Sequence, residues 1–221
     1  MSIDLTQWTS RPRPEHLVME GRYTRLEPLD AARHGNDLFG ASMAEGADVR
    51  FRYLFESPSE RTDFDAWLAK AAANADPMFW AVIDKKTGQA AGRQALMRID
   101  QSFGVIEIGN ILWGPAIAGR TVATEALYLF ASYVFETLGY RRFEWKCNDL
   151  NAPSKAAALR FGFSFEGIFR QHMVTKGANR DTAWFSLIDA EWPALKTRYE
   201  RWLSPANFDA SGQQLKRLRE C

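Results

Sequence analysis

The chain is expected to fold as a mixed α+β domain in which an antiparallel meander feeds a β-α-β unit. Three stretches carry that expectation. Met78 to Asp84, Ala91 to Ile99 and Val105 to Trp113 are short apolar runs joined by a Lys-Lys-Thr-Gly turn and a Ser-Phe-Gly turn, the pattern of a meander. From Val122 to Leu138 the residues Leu127, Phe130, Ala131, Val134 and Leu138 recur at helical steps, and Gly139 supplies the stop. Arg141 to Cys147 then returns to strand character. A strand, a crossover helix and a strand over 105–147 imply a parallel pair with the right-handed connection such units almost always take.

The remaining elements follow in chain order. Residues 1–16 read as a polar N-terminal arm, extended by Arg-Pro-Arg-Pro at 11–14. Leu17 to Leu29 reads as a first strand, and Asp30 as the N-cap of a helix through about Met43. Ser59 and Asp63 open a second helix through Asn74, with Phe64, Trp67 and Leu68 on one side. After the β-α-β unit, Asn151 to Phe161 is a short helix ended by Gly162. Phe163 to Thr175 and Asp181 to Leu187 form a last hairpin around Lys176-Gly177-Ala178-Asn179, with Arg180-Asp181 as a candidate ion pair. Glu191 to Leu203 is the final helix, so 17–203 make one domain and 204–221 a polar, loosely attached tail.

Composition narrows the function. The 221 residues are 46% hydrophobic and 25% charged, enough for one sizeable core. With 28 basic against 27 acidic residues and a net charge of +1, no electrostatic footprint for nucleic acid is expected. The two cysteines, Cys147 and Cys221, suggest neither a disulfide framework nor a metal site, and reduced cytoplasmic thiols are expected. No apolar run approaches the roughly 20 residues that span a bilayer, so no membrane partner is expected. Trp184, Phe185 and Trp192 are candidates either for the core or for a homodimer face.

The stretch from Val105 to Ala126 is the most informative chemically. It runs an apolar strand through a Gly/Pro turn into a helix start. The first backbone N–H groups of a helix lack intrahelical partners and carry partial positive charge, so a small-residue loop at that point suits a pyrophosphate. An ordinary strand-turn-helix connection is the alternative.

Several separate segments strengthen the first reading. The opening LVMEGRYTRLEPLDAARHGNDL, the EIGNILWGP strand, the AGRTVATEAL helix start, the segment from Arg141 to Gln171 and the NRDTAWFSLI strand resemble the GNAT superfamily of N-acetyltransferases. Within it the nearest likeness is to the RimJ/RimL-like group, which acetylates the N-termini of ribosomal proteins. The resemblance covers about residues 17–192. It implies a mostly antiparallel sheet with a central parallel splay and flanking helices. It also implies acetyl-CoA as co-substrate, with an amine acceptor that is either a protein N-terminus or a small molecule such as an amino acid.

The resemblance assigns candidate residues. The family's pyrophosphate loop, Arg/Gln-x-x-Gly-x-Gly/Ala, maps onto Ala118-Gly119-Arg120-Thr121-Val122-Ala123, followed by Thr124. Ala118 and Thr121 depart from that pattern. Main-chain N–H groups hold the pyrophosphate, so binding tolerates such changes, and Arg120 is a candidate for the missing charged contact. The strand end Leu112-Trp113-Gly114 is implied to pair with the pantetheine arm as with a peptide, and Asn151 to bond it from the other side while capping its helix. Direct attack on a thioester needs a deprotonated amine and a proton for the leaving thiolate. Glu107 and His172 are alternative bases, and Ser154 is the candidate donor to the thiolate. Alternation leaves a structural salt bridge open for Glu107. A CoA-binding module without catalysis is the rival reading, and an α+β domain without a ligand ranks last.

Overall fold

The computed structural model describes residues 4–221, and the first three positions of the arm lie outside it. Eight strands form one sheet: β1 (Met19–Glu20), β2 (Thr24–Pro28), β3 (Met78–Asp84), β4 (Gln89–Asp100), β5 (Val105–Trp113), β6 (Arg142–Asn148), β7 (Ser164–Thr175) and β8 (Ala178–Ile188). Their spatial order is β1-β2-β3-β4-β5-β6-β8-β7, and only β5 and β6 run parallel. The helices are α1 (Ala31–Met43), α2 (Ala47–Phe51), α3 (Arg61–Ala72), α4 (Thr121–Ser132), α5 (Ala152–Arg160) and α6 (Trp192–Leu203). This is the mixed architecture the sequence leads one to expect.

Alternation along the strands assigns the two faces. In β3, Trp80 and Val82 join the larger core with Ile106, Ile108, Phe130 and Phe143, whereas Phe79, Ala81 and Ile83 pack with Leu38, Phe64 and Leu68 of α1 and α3. Both faces of this strand are covered, which is why it reads as a continuous apolar run. Asp30 caps α1 by accepting from the Arg33 N–H at 2.8 Å.

Four local expectations change. The first strand is split into β1 and β2 by a turn, because the buried Glu125 carboxylate of α4 accepts from the N–H groups of Arg22, Tyr23 and Thr24 at 2.8, 2.6 and 2.7 Å. α3 starts at Arg61 behind Glu60, and the short α2 precedes it unannounced. The long helix ends its α-helical part at Ser132 and closes through a π-helical turn, Tyr133–Thr137. The polar segment after Leu203 is held, not loose: Leu218 is buried, Trp202 Nε1 donates to Gln214 Oε1 at 2.8 Å, and the Asn207 amide donates to the Trp202 carbonyl at 3.1 Å.

Candidate active site at the parallel splay

β5 and β6 pair from Val105–Arg142 to Ile108–Trp145 and then part. From Gly109 to Trp113, β5 keeps β4 on one side and has no strand on the other. That wedge opens a cleft lined by Met97, Arg98, Glu107, Asn110, Ser154 and His172, among others. An extended amide chain laid along the free edge of β5 would find backbone groups to pair with.

Three bulges aim side chains into the cleft. Between the pairs Ala95–Gly109 and Arg93–Leu112, β5 carries an extra residue, and Asn110 takes φ 49°. Arg93 Nη1 donates to the Asn110 carbonyl at 2.9 Å; the buried Arg93 also pairs with the Glu56 carboxylate and lies 4.2 Å over the Trp67 ring. Between Met97–Glu107 and Asp100–Val105 the surplus is in β4, where Arg98 takes φ 49° and the Asp76 carboxylate accepts from the Arg98 N–H at 2.9 Å. In β7, between Phe169–Thr182 and Met173–Arg180, Gln171 takes φ 51° and its N–H donates to Asp181 at 2.7 Å. A left-handed backbone is unfavourable for residues with a Cβ and persists only where neighbours enforce it. Here each is fixed by a named partner, and Arg98, Asn110 and His172 all reach one cleft.

Glu107 lies inside this arrangement. Its side chain is buried 3.0 Å from Lys146 Nζ and 3.5 Å from Arg98 Nε. Burial raises its pKa above the ordinary carboxylate value, against the pull of those two cations. Lys146 also pairs with Glu144 at 2.6 Å and lies 3.8 Å over the Trp184 ring. The half-buried His172 places Nδ1 3.0 Å from Thr182 Oγ1, which accepts from Arg180 Nε at 3.2 Å. Burial lowers the His172 pKa, and Arg98, Arg180 and Lys146 push it the same way, favouring the neutral ring. Ser154 Oγ accepts from Trp145 Nε1 at 3.0 Å, so its own proton remains available to donate. Asn151 caps α5 through the Ser154 N–H at 3.2 Å and also lines the cleft.

A second recess lies at the start of α4. Gly119, Arg120, Thr121 and Val122 line it together with Arg22, Lys85, Lys86 and Arg160. No side chain caps α4. Gly119 takes φ 71° with open space beside its Cα, and Arg160 Nη1 donates to Thr124 Oγ1 at 3.1 Å. Free helix-start N–H groups ringed by cations suit a pyrophosphate. Ala118 spends its N–H on the Gly114 carbonyl at 3.0 Å, while Ala123 and Thr124 are buried in the first turn of α4. Leu112 is buried, Trp113 donates to Gln94 Oε1 at 3.3 Å, and a Cβ on Gly114 would meet the Ala91 carbonyl at 2.7 Å.

Glu107, Ser154 and His172 therefore share one cleft, and most of the loop residues share the recess. Arg180 and Asp181 do not pair: Asp181 instead accepts from Gln171 and from Asn179 Nδ2. Arg50 is spent on carbonyls at the end of α1, whereas the Tyr53 hydroxyl donates across the cleft to the Leu150 carbonyl at 3.1 Å. Phe185 and Trp192 are core, and the half-buried Trp184 packs 4.3 Å from the exposed Phe169. Sequence reasoning missed Arg98, Asn110, Lys146 and Thr182, and read Arg180 only as an ion-pair partner of Asp181. For Lys146 a signal existed, since Arg142, Glu144 and Lys146 alternate on one face of β6. Among the described residues no cluster of metal-ligating side chains occurs, and no helix is long and apolar enough to cross a membrane.

Comparison with known proteins agrees with this geometry. The solved structure of a GCN5-related N-acetyltransferase from Brucella melitensis is 62% identical, covers 98% of each chain and superposes with a TM-score of 0.97. A GNAT-family structure from Chromobacterium violaceum is 40% identical over 87% of this chain and 96% of its own, with a TM-score of 0.80. The uncharacterized N-acetyltransferase p20 of Bacillus licheniformis is 33% identical over 113 residues, 51% of this chain and 63% of that protein. The acetyltransferase (GNAT) domain family matches residues 24–164, from the start of β2 to the start of β7, and takes in β5, β6 and the parting between them. The chain belongs to the GNAT acetyltransferase family.

Proposed function

We propose that the protein transfers the acetyl group of acetyl-CoA to a primary amine by direct attack. The observation that carries this reading is the wedge itself, where Glu107, His172 and Ser154 line the cleft beside an unpartnered strand edge. In this reading the pyrophosphate sits on Gly119, Arg120, Thr121, Val122 and Ala123, ahead of Thr124, with Arg160 beside it. The pantetheine arm follows Leu112-Trp113-Gly114, with Asn151 opposite.

Glu107 takes the proton of the incoming ammonium, which its raised pKa favours more than an ordinary carboxylate would. The amine nitrogen bonds to the thioester carbon and the carbonyl becomes an oxyanion; the C–S bond then breaks as the thiolate receives the Ser154 proton, and the second proton that the nitrogen releases on becoming an amide restores the Ser154 hydroxyl. His172 has a different task from the base. Thr182 Oγ1 already accepts from Arg180, so its hydroxyl proton is free for His172 Nδ1. The ring then carries its hydrogen on Nε2 and serves as a neutral donor to the oxyanion.

The RimJ/RimL-like resemblance favours a protein N-terminal amine as acceptor; a small-molecule amine is the alternative. The departures at Ala118 and Thr121 favour a second reading, a CoA-binding module without catalysis. The free thiols Cys147 and Cys221 support a cytoplasmic location. Calorimetric titration with acetyl-CoA, CoA and a nucleotide lacking pantetheine, followed by thiol release on peptide and small-amine panels, tests these readings. Saturable binding that needs pantetheine, with turnover, supports the enzyme. Binding without thiol release on any amine selects the module, and no binding removes both.

A further inference from the structure

We propose that the acceptor carries an anionic group, a carboxylate or a phosphate, beside the amine to be acetylated, and that Arg180 receives it. This rests on the acetyl-transfer reading above. Arg180 lies on β8 with 8% of its surface exposed, and it lines the cleft that holds Glu107 and His172. Its Nε donates to Thr182, and its guanidinium faces the Phe55 ring at 5.5 Å. Among the described residues, neither terminal nitrogen has a hydrogen-bond acceptor and no carboxylate pairs with it. Arg180 lines the cleft, none of its nitrogens is among the fully buried atoms without a partner, and a guanidinium this little exposed and without a counter-charge is one that an anion entering the cleft would stabilise.

The acids near it are committed elsewhere. Asp181 accepts from Gln171 and Asn179, and Asp149 pairs with Lys155 at 2.8 Å. Glu107 is shared by Lys146 and Arg98, and Glu56 pairs with Arg93. The cationic side chains lining the cleft are Arg50, Arg98, Lys146 and Arg180, against Glu107 alone. Arg50 is spent on carbonyls, and Lys146 and Arg98 face carboxylates, which leaves Arg180 as the charge without a partner. A bare ammonium would meet a repelling field there. An ammonium with a neighbouring anion would not, because the planar fork of an arginine binds carboxylate or phosphate through two parallel N–H···O bonds. The anion would come from the α-carboxylate of a free amino acid, from an acidic side chain next to a peptide N-terminus, or from an aminoalkyl phosphate.

The test uses the whole protein and matched pairs that differ only in that charge: glutamate α-acid against its α-amide, a peptide with Asp in second place against its Asn twin, and aminoethyl phosphate against ethanolamine. Acetyl-CoA affinity is measured first. Thiol release then gives kcat and KM for each member, and calorimetry in the presence of CoA gives the affinity of each N-acetylated product. We expect at least one anionic member to be favoured tenfold or more, mainly through KM, with the pair showing the preference identifying the source of the anion. Arg180→Gln is expected to bring that ratio near one and Arg180→Lys to restore part of it. Because each ratio is taken within one variant, a general fall in kcat from a displaced His172 cancels, and a thermal melt checks that both variants fold. Intact acetyl-CoA binding with no anionic preference in either turnover or product affinity overturns the proposal and leaves acetyl transfer standing. Absent acetyl-CoA binding overturns the underlying reading and the proposal with it.

Discussion

The wedge and the recess hold charge in opposite ways. In the wedge, Glu107 and Lys146 are each 6% exposed and locked into a pairwise network. In the recess, Arg120 is exposed, and the cations around it lie along an open rim with few fixed partners. The first is preorganised and shielded, which suits a site that handles one proton at one atom; the second is solvated and redundant, which suits a flexible polyanion. A substitution in the wedge should therefore act steeply on turnover, and one in the recess gently on affinity.

The steepest effect is expected from Glu107→Gln, which should lower kcat by about 10²- to 10⁴-fold, the usual range for a lost general base, with acetyl-CoA affinity unchanged by calorimetry. In the wild type, kcat/KM should rise with pH through the elevated Glu107 pKa, since the carboxylate is the active form, and this limb should vanish in the variant. Stability carries the same sign. A group whose pKa is raised on folding stabilises below its unfolded value, near 4.5 here, and loses that contribution as pH climbs through the folded value. The glutamine variant should thus be no less stable than wild type in neutral buffer, read from the urea midpoint. A clear loss there would mean that the ion-pair network, not burial, dominates at this position.

Next in size is Glu125→Ala, which strands the N–H groups that hold the β1–β2 turn beside the recess. About 2–3 kcal/mol of stability should go, on the scale of hydrogen bonds to a charged group, and calorimetric melting would show it. Arg160→Ala removes an exposed cation and its bond to Thr124, so acetyl-CoA should bind about tenfold more weakly while kcat at saturation holds. Smallest is Lys86→Ala, with roughly a twofold loss of affinity that disappears at high salt, as for other exposed charges. A Lys86 effect as large as that of Arg160 would show that the rim is not redundant.

The same contrast explains what the sequence revealed. The loop Gly119 to Val122 that enters the recess is one contiguous segment, and a Gly-containing loop before a helix declares its geometry locally, as Asp30 does for α1, whereas the cations around it, Arg22, Lys85, Lys86 and Arg160, come from elsewhere in the chain. The wedge needs long-range pairing: Glu107 meets Lys146 only because β5 and β6 align, and Arg180 joins them only through the β6–β8 register. Its bulges gave no warning, since Arg98, Asn110 and Gln171 are not glycines and their left-handed backbone is enforced by Asp76, Arg93 and Asp181 from elsewhere in the chain. Glu107 was legible as a candidate; its partners were not. The C-terminal segment misled through its polarity, which hid the few contacts of Trp202, Asn207 and Leu218 that fasten it.

The bulge in β7 acts as a splice point. From Phe169 to Met173 that strand spends four steps where β8 spends two, and antiparallel pairing resumes beyond it shifted by two residues. The exposed Arg170 can be exchanged there without sliding Thr182 or Arg180 and without disturbing the β5–β6 pair on which Glu107 depends, whereas Gln171 is tied to Asp181 and His172 to Thr182. The fold thus separates a wall that can be rewritten from a hinge of strands that cannot, so a lineage can change what it acetylates while leaving intact the part that carries the acetyl group.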